Sequence, residues 1–144
     1  MHEKNYLRRN IHITELADKI IDLLLYTRKT TASERGNFGL RERMLFCLRR
    51  SPLPPRELME ILGMAKSNLA LLAAKCERDG LIEKRRKQSD GRAIAYYLTP
   101  KGETELTDRL TDIEKKFEKV ITDEKEKAEA AESLDKAAEL LSYL

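Results

Sequence analysis

Apolar residues recur at every third or fourth position over residues 11–29, which predicts an amphipathic helix near the start of the chain. The apolar positions are Ile13, Leu16, Ala17, Ile20, Leu23 and Leu24. Ile21 and Leu25 widen this stripe beyond one face, so burial on two sides is expected, either within one chain or against a second chain. The polar stretch TASERGNFG follows at residues 31–39 and is typical of a connector.

Two further helices are predicted in the middle of the chain. The first runs from about Leu40 to Arg50 and stops before Pro52, because proline cannot continue a helix. The second is short, opens at Pro54-Pro55 and ends at Gly63. The expected buried residues are Leu40, Met44, Cys47 and Leu48 in the first helix, and Leu58, Ile61 and Leu62 in the second.

A tight turn at Gly63-Met64-Ala65 leads into the helical stretch KSNLALLAAKCERDG. Its expected inward residues are Leu69, Leu72, Ala73 and Cys76. Two helices joined by a glycine turn form a helix-turn-helix. Two strand-like runs then follow, LIEKRR and AIAYYLT, separated by an Asp90-Gly91 turn signal, and they predict a β-hairpin with a basic tip.

The C-terminal part of the chain carries two more apolar stripes. The first has coiled-coil-like spacing and consists of Leu106, Leu110, Ile113, Phe117 and Val120. The pattern breaks near Thr122, where Asp123 and Glu126 can cap a new helix. The inward set of that helix is Ala131, Leu134, Ala137, Ala138, Leu141 and Leu144. Such apolar helices are expected to cover either the rest of their own chain or a second copy of it.

The distribution of charge is uneven, although the net charge is only +3. Residues 41–103 contain 14 basic and 8 acidic residues, a balance of +6, whereas residues 104–144 contain 7 basic and 12 acidic residues, a balance of −5. A basic middle that also has a folded pattern favours a polyanionic partner.

These motifs resemble the MarR family of winged helix-turn-helix regulators. LPPRELMEILGMAKSNLALLAAKCERDGLIEKRR, at residues 53–86, is similar to the family's short helix, glycine turn, recognition helix and basic strand. SDGRAIAYYLTPKG, at residues 89–102, is similar to the wing and the return that follows it. The resemblance implies a mainly α fold with a small β-hairpin wing. It divides the chain into an N-terminal dimerisation helix and connector at residues 1–36, a winged helix-turn-helix core at 37–103, and C-terminal dimerisation helices at 104–144.

The resemblance implies a homodimer that binds a pseudo-palindromic site on double-stranded DNA, most simply as a repressor of transcription. The recognition helix would enter the major groove, and Arg92 in the wing would reach the minor groove. The implied recognition-helix residues are Lys66, Ser67, Asn68, Leu71, Lys75 and Arg78, and the implied wing residues are Arg85, Arg86, Lys87, Asp90 and Arg92. The implied dimer interface contains Ile13, Leu16, Ile20, Leu24, Leu134, Leu141 and Leu144. Relatives often hold a small-molecule effector between the dimer helices and the DNA-binding part.

The recognition helix and the wing also depart from the family's pattern. Ala70 and Leu71 stand where relatives often carry threonine and arginine, which can contact base edges and phosphates. Leu71 or Ala74 offers only an apolar contact, such as one with a thymine methyl, and Leu71 could instead pack on the wing or on another protein. Asp90 would brace the wing loop or serve only as a turn former, and Lys87 replaces an acidic residue of many relatives.

The sequence gives little support to other classes of function. The sequence has no glycine-rich phosphate loop, no metal-ligand spacing and no nucleophile beside a histidine, so neither catalysis, a metal nor a cofactor is expected. Cys47 and Cys76 fall on apolar stripes and are expected in the core. The longest apolar run, at residues 69–74, is too short to span a membrane, so a cytoplasmic protein is expected. The alternative function is a winged-helix dimer that binds other proteins without sequence-specific DNA binding.

Overall fold

The computed structural model describes residues 14–27, 38–86 and 93–144. In chain order, the elements are α1 (residues 14–27), α2 (Leu40–Arg50), α3 (Pro55–Leu62), α4 (Lys66–Arg78), β1 (Ile82–Arg86), β2 (Ile94–Leu98), α5 (Pro100–Glu118) and α6 (Glu124–Leu141). The predicted fold class, mainly α with a two-stranded hairpin, is confirmed. The chain forms two compact units, one at Asn37–Glu118 and one that combines residues of 1–36 with Lys119–Leu144.

The hydrophobic core of the Asn37–Glu118 unit is built from α2 to α5 and the hairpin. Its buried members are Met44, Leu45, Leu48, Leu58, Leu69, Ala73, Cys76, Leu81, Ile82, Tyr96 and Leu106. All of these except Tyr96 and Cys76 are aliphatic or thioether side chains, so burial in this core is the main stabilising contribution. Cys76 is buried and Cys47 packs partly against the core, as predicted.

Two helices present a face to this core that differs from the prediction. In α2, Leu45 is fully buried while Leu40 is exposed. In α3, Met59 packs on the core while Ile61 is 59% exposed. At roughly 100° per residue, Leu62 lies between Leu58 and Met59 on the face that meets the core, and Ile61 lies about 100° from Leu62, on the side away from Met59. A helix of two turns has too few apolar positions for the sequence to define that face.

The hairpin is antiparallel, with a register from Ile82 opposite Leu98 to Arg86 opposite Ile94. Leu53 adds a short bridge to this sheet, since its N–H donates to the Tyr96 carbonyl at 3.2 Å and its carbonyl accepts from the Tyr96 N–H at 2.9 Å. The bridge joins the segment between α2 and α3 to β2. The hairpin is therefore fixed to the helix-turn-helix through main-chain bonds as well as through buried side chains.

The return from the hairpin into α5 is fixed by Thr99. Its hydroxyl donates to the Gly80 carbonyl at 2.6 Å and accepts from the Gly102 N–H at 3.0 Å, and its own N–H donates to the Leu81 carbonyl at 3.0 Å. A Cβ on Gly102 would lie 2.2 Å from the Leu81 oxygen and 2.6 Å from Leu98 Cδ1. Only glycine lets the start of α5 approach Leu81, which precedes β1, and Leu98 of β2 this closely.

Burial falls steadily along the predicted C-terminal stripe. Leu106 is fully buried, Leu110 and Ile113 are half-buried, and Phe117 is exposed. The predicted break before Asp123 is present, and the Asp123 carboxylate caps α6 by accepting the Lys125 N–H at 3.1 Å. The start of α5 is thus a core element, whereas its end leaves apolar side chains on the surface.

In the second unit, α6 has no buried residue. Leu16 of α1 and Leu134 of α6 are each 67% exposed. An open groove of about 630 Å³ runs along this unit, lined by Leu16, Lys19, Ile20, Glu129, Glu132, Ser133, Lys136, Ala137 and Leu140. The apolar stripes predicted for α1 and α6 are therefore largely uncovered within the single chain.

Candidate nucleic-acid interface

The turn of the helix-turn-helix depends on Gly63. Its φ of 62° lies in the left-handed region, which glycine adopts without the steric cost of a side chain. The Met64 N–H donates to the Met59 carbonyl at 3.1 Å, a hydrogen bond that satisfies one of the last carbonyls of α3. This tight turn sets the direction in which α4 leaves α3.

The recognition helix α4 separates cleanly into a buried face and an exposed face. Leu69, Ala73 and Cys76 are buried and Leu72 is half-buried, as predicted. All six predicted contact residues are exposed, namely Lys66, Ser67, Asn68, Leu71, Lys75 and Arg78. Leu71 is 71% exposed, so its side chain is not taken up by the core.

The first turn of α4 has an open N-terminal end. Ala65 occupies the N-cap position and supplies no side-chain hydrogen bond. The first N–H groups of a helix have no partner within the helix, and they form a favourable site for an anionic oxygen. Lys66, Ser67 and Asn68 surround this end with exposed polar and cationic side chains.

A three-residue ion-pair network holds the other end of α4, and no motif in the sequence indicates it. Arg41 of α2 donates to Asp79 at 2.6 Å and to both carboxylate oxygens of Glu105, at 3.0 Å and 3.3 Å. Asp79 is the C-cap residue of α4, and Glu105 belongs to α5. The network therefore connects α2, the end of the recognition helix and α5.

The electrostatics of this network favour the charged forms of its members. The hydrogen bond from Arg41 holds the pKa of Asp79 below its ordinary value. The hydrogen bond with Glu105 raises the pKa of Arg41 further above its already high value, although burial opposes this shift. Nothing in the spacing of Arg41, Asp79 and Glu105 along the chain predicts that they meet, because their contact depends on how three elements pack.

The wing residues are only partly within the described part of the chain. Arg85 and Arg86 are exposed on β1, while the predicted contacts Lys87, Asp90 and Arg92 lie outside the described residues. Arg85 is already engaged, because it pairs with Glu83 at 2.5 Å and its guanidinium lies 4.8 Å from the centre of the Tyr97 ring. Arg85 therefore already has an acidic partner within the hairpin.

The predicted dimer residues are distributed over both helices of the second unit. Leu16, Leu24, Leu134 and Leu144 are exposed and Ile20 and Leu141 are half-buried, while Ile13 lies outside the described residues. Leu16, Leu24, Leu134 and Leu144 therefore form apolar surface that a single chain leaves exposed.

Three further features of residues 14–27, 38–86 and 93–144 concern metal binding, thiol reactivity and membrane insertion. No cluster of histidine, cysteine and carboxylate groups suited to a metal occurs in these segments. Burial raises the pKa of both the Cys76 and the Cys47 thiol, which makes them poor nucleophiles. Within the same described ranges, no helix is both long enough and apolar enough to cross a membrane.

Comparison with known proteins identifies the class of this fold. Residues 43–93, which include the helix-turn-helix and β1, match the sequence model of the MarR family. A search of curated protein sequences gives no significant match. The match covers about a third of the chain, and the predicted resemblance to the MarR family is confirmed over those residues.

Solved structures of similar fold extend the match to nearly the whole chain. The MarR family transcription regulator SP03579 is 22% identical with a TM-score of 0.59, and the comparison covers 99% of this chain and 93% of that one. The transcriptional regulator BldR from Sulfolobus solfataricus is 19% identical with a TM-score of 0.56, over 96% of this chain and 98% of that one. Streptococcus pneumoniae FabT, solved in complex with DNA, is 20% identical with a TM-score of 0.56, over 95% and 97%. At these identities, the likeness establishes the fold.

Proposed function

We propose that this protein is a homodimeric, DNA-binding transcriptional regulator of the MarR type that acts as a repressor in the cytoplasm. The observation that carries the proposal is the exposed face of α4. That face presents Lys66, Lys75 and Arg78 to solvent, while the opposite face is anchored in the core. A helix with this arrangement can enter a major groove about 12 Å wide with its cations directed at the phosphates.

The ends of α4 support the same role. The uncapped N-terminal turn can accept a phosphate oxygen, and the Arg41 network fixes the orientation of the C-terminal end. Arg41 is thus a positioning residue in this proposal rather than a DNA contact. Arg85 and Arg86 would neutralise phosphates beside the groove, with Lys87 at the wing tip, Asp90 bracing the loop and Arg92 in the minor groove.

The dimer is the second part of the proposal. Leu16 and Leu134 expose two-thirds of their surface in the single chain, and Leu144 is also exposed. Large uncovered apolar surfaces are uncommon on stable monomers. A second copy of the chain would cover them with the same residues, as in other two-fold interfaces. A small-molecule effector is the third partner in this proposal, beside DNA and the second copy of the chain.

Selection of bound duplexes from a random DNA pool tests the proposal. We expect a pseudo-palindrome with half-sites about 10 base pairs apart, because two recognition helices would occupy successive major grooves. Affinity for the selected site should fall by about 10³ to 10⁵ between 50 and 200 mM salt if roughly six to ten phosphates are neutralised. Recovery of no enriched sequence, or of an asymmetric footprint as wide as one winged helix, would contradict it.

A second candidate function is a protein-interaction module without sequence-specific DNA binding. Two exposed apolar residues favour it, Leu71 on α4 and Ile61 on α3. Ionic strength distinguishes the two functions, because an apolar protein contact depends weakly on salt whereas phosphate binding depends steeply on it. Substitution Leu71→Asp would abolish the protein contact in this alternative.

A further inference from the structure

The centre of the exposed face of α4 is apolar. Ser67, Leu71, Ala74 and Arg78 follow one another at spacings of four, three and four residues, so they form a single ridge on the helix. Leu71 and Ala74 occupy the middle of this ridge and are both exposed. Neither side chain can donate or accept a hydrogen bond. At this point of α4, a base cannot be recognised through side-chain hydrogen bonds to its edge.

Leu71 also projects further from the helix than the exposed alanines near it. Ala70 and Ala74 are both exposed and end at their Cβ atoms. The cations Lys66, Lys75 and Arg78 surround this apolar centre, and Glu77 is the exposed acid of the helix. The charge of these surrounding side chains is therefore complementary to the two phosphate backbones that border a major groove. The apolar centre would face the base edges between the two backbones.

We infer that Leu71, assisted by Ala74, reads the 5-methyl group of a pyrimidine in the major groove. This inference rests on the proposed function. The thymine methyl is the apolar group that unmodified base pairs present in that groove. Leu71 and Ala74 are separated by roughly 4.5 Å along the helix axis, somewhat more than one base-pair step of about 3.4 Å. The two side chains thus suit one methyl or two on adjacent base pairs.

Contact through an apolar side chain would give the protein a defined specificity without side-chain hydrogen bonds to the base. An apolar side chain responds to the methyl and not to the group at position 4 of the pyrimidine. Thymine carries a carbonyl oxygen there and 5-methylcytosine carries an amino group, but both have the same 5-methyl. The protein should therefore accept a 5-methylcytosine·guanine pair where it accepts thymine·adenine, and should discriminate against unmethylated cytosine and uracil.

Replacement of single thymines by deoxyuridine in the selected site tests this directly, because it removes the methyl and preserves pairing with adenine. We expect one symmetry-related thymine in each half-site at which affinity falls about fourfold, the loss that corresponds to burial of one methyl group. Replacement in both half-sites should lower affinity about 15-fold. 5-Methylcytosine opposite guanine at that position should retain most of the affinity, whereas cytosine should not.

Variants of the protein assign the effect to Leu71. Leu71→Ala changes an exposed side chain and keeps a strong helix former, so the fold should be retained. Its ratio of affinities for thymine and uracil should approach one, and Leu71→Met should restore most of the ratio. Lys75→Ala serves as the control, since it should weaken binding to both duplexes and leave the ratio unchanged.

The outcomes separate the inference from the proposed function. A parent protein that binds its site specifically but shows no effect of uracil at any position overturns the inference and leaves the proposed function intact. An unchanged ratio in Leu71→Ala, or a selected site that lacks a shared thymine·adenine pair, also overturns it. Failure to bind any duplex at low salt removes the proposed function and this inference with it.

Discussion

Gly102 illustrates how one residue can be required by packing alone. A methyl group at this position would overlap the Leu81 carbonyl oxygen, a backbone atom that also accepts the Thr99 N–H. The clash cannot be relieved by rotation of a side chain, so the start of α5 would have to move away from Leu81, the residue that precedes β1. Gly102, which follows the hairpin, is therefore required for the close packing of the start of α5 against the hairpin.

We expect Gly102→Ala to lower the free energy of unfolding by about 1 to 3 kcal/mol, the usual cost of overpacking a core. Urea unfolding followed by circular dichroism measures the change. Gly39→Ala is the matched control, because a Cβ there would meet the Glu42 carboxylate at an ordinary 3.5 Å, and it should cost less than about 1 kcal/mol. Equal stability of the two variants would show that the close approach is absent.

The Asp79 carboxylate gives the fold a pH dependence with a definite sign. Arg41 lowers the pKa of Asp79 in the folded state, so the pair stabilises the fold above the unfolded pKa. That stabilisation is lost as the pH falls through the folded value, which places the loss below about pH 4. Asp79→Asn should therefore be less stable than the parent at pH 7, and the difference should shrink toward pH 3.

Thermal unfolding at a series of pH values measures this difference. Asp108→Asn, which changes an exposed carboxylate of α5, is the control and should follow the parent throughout. A constant difference between parent and Asp79→Asn from pH 7 to pH 3 would argue against a contribution from the Arg41 pair.

The helix α4 and the wing are expected to contribute to DNA binding in different ways. Lys75→Ala on α4 should weaken binding to all sequences about equally and lower the salt slope by about one for each phosphate that is no longer neutralised. Arg92→Ala in the wing should cost on the order of 1 to 3 kcal/mol, with the largest effect on sites flanked by A·T steps that narrow the minor groove. Affinities for the selected site and for flanking-sequence variants, measured across a salt series, distinguish the two patterns.

The sequence predicts a structural element well when neighbouring residues determine it, and poorly when contacts between distant parts of the chain determine it. The prediction for the buried face of α4 is correct, because Leu69, Ala73 and Cys76 repeat over about two turns within a helix of 13 residues. The prediction of a cap at Asp123 is also correct, since capping depends on neighbouring residues. The Leu53 bridge has no signal in the sequence because a single residue has no periodicity, and the prediction of a buried Ile61 is wrong because α3 is only eight residues long.

The residues of the candidate site also differ in whether the sequence could predict their positions. The exposure of the six α4 residues could be predicted from helical spacing. The Arg41 network could not, because 38 residues separate Arg41 from Asp79 and 64 separate it from Glu105. Arg85 and Glu83 are two residues apart and so lie on the same side of β1, where they pair. The sequence does not indicate whether such a basic side chain pairs within the protein or stays free to bind a ligand.

At the scale of the whole molecule, the oligomeric state depends on the unit that contains α1 and α6. A homodimer of this 16.7 kDa chain has a mass of 2 × 16.7 = 33.4 kDa. We expect sedimentation at micromolar concentration to give that mass for the parent. Combined substitution Leu16→Asp and Leu134→Asp should give a monomer that keeps its winged helix, because it places two charges on the exposed apolar surface.

Ile61→Asp is the matched control for this experiment, since Ile61 is an exposed apolar residue of the other unit. It should leave the dimer intact. A parent chain that sediments as a folded monomer, or a doubly charged variant that remains dimeric, would contradict the assignment of the interface.

The uncapped first turn of α4 contains backbone amides whose rates of hydrogen exchange would change when the protein binds DNA. The Leu69 N–H donates to the Ala65 carbonyl at 3.0 Å, whereas no side chain caps the amides that precede it. The amide protons of Ser67 and Asn68 should therefore exchange rapidly with deuterated solvent in the free protein. Contact with a phosphate would slow that exchange, and the change would be visible by nuclear magnetic resonance at individual residues without any label on the DNA.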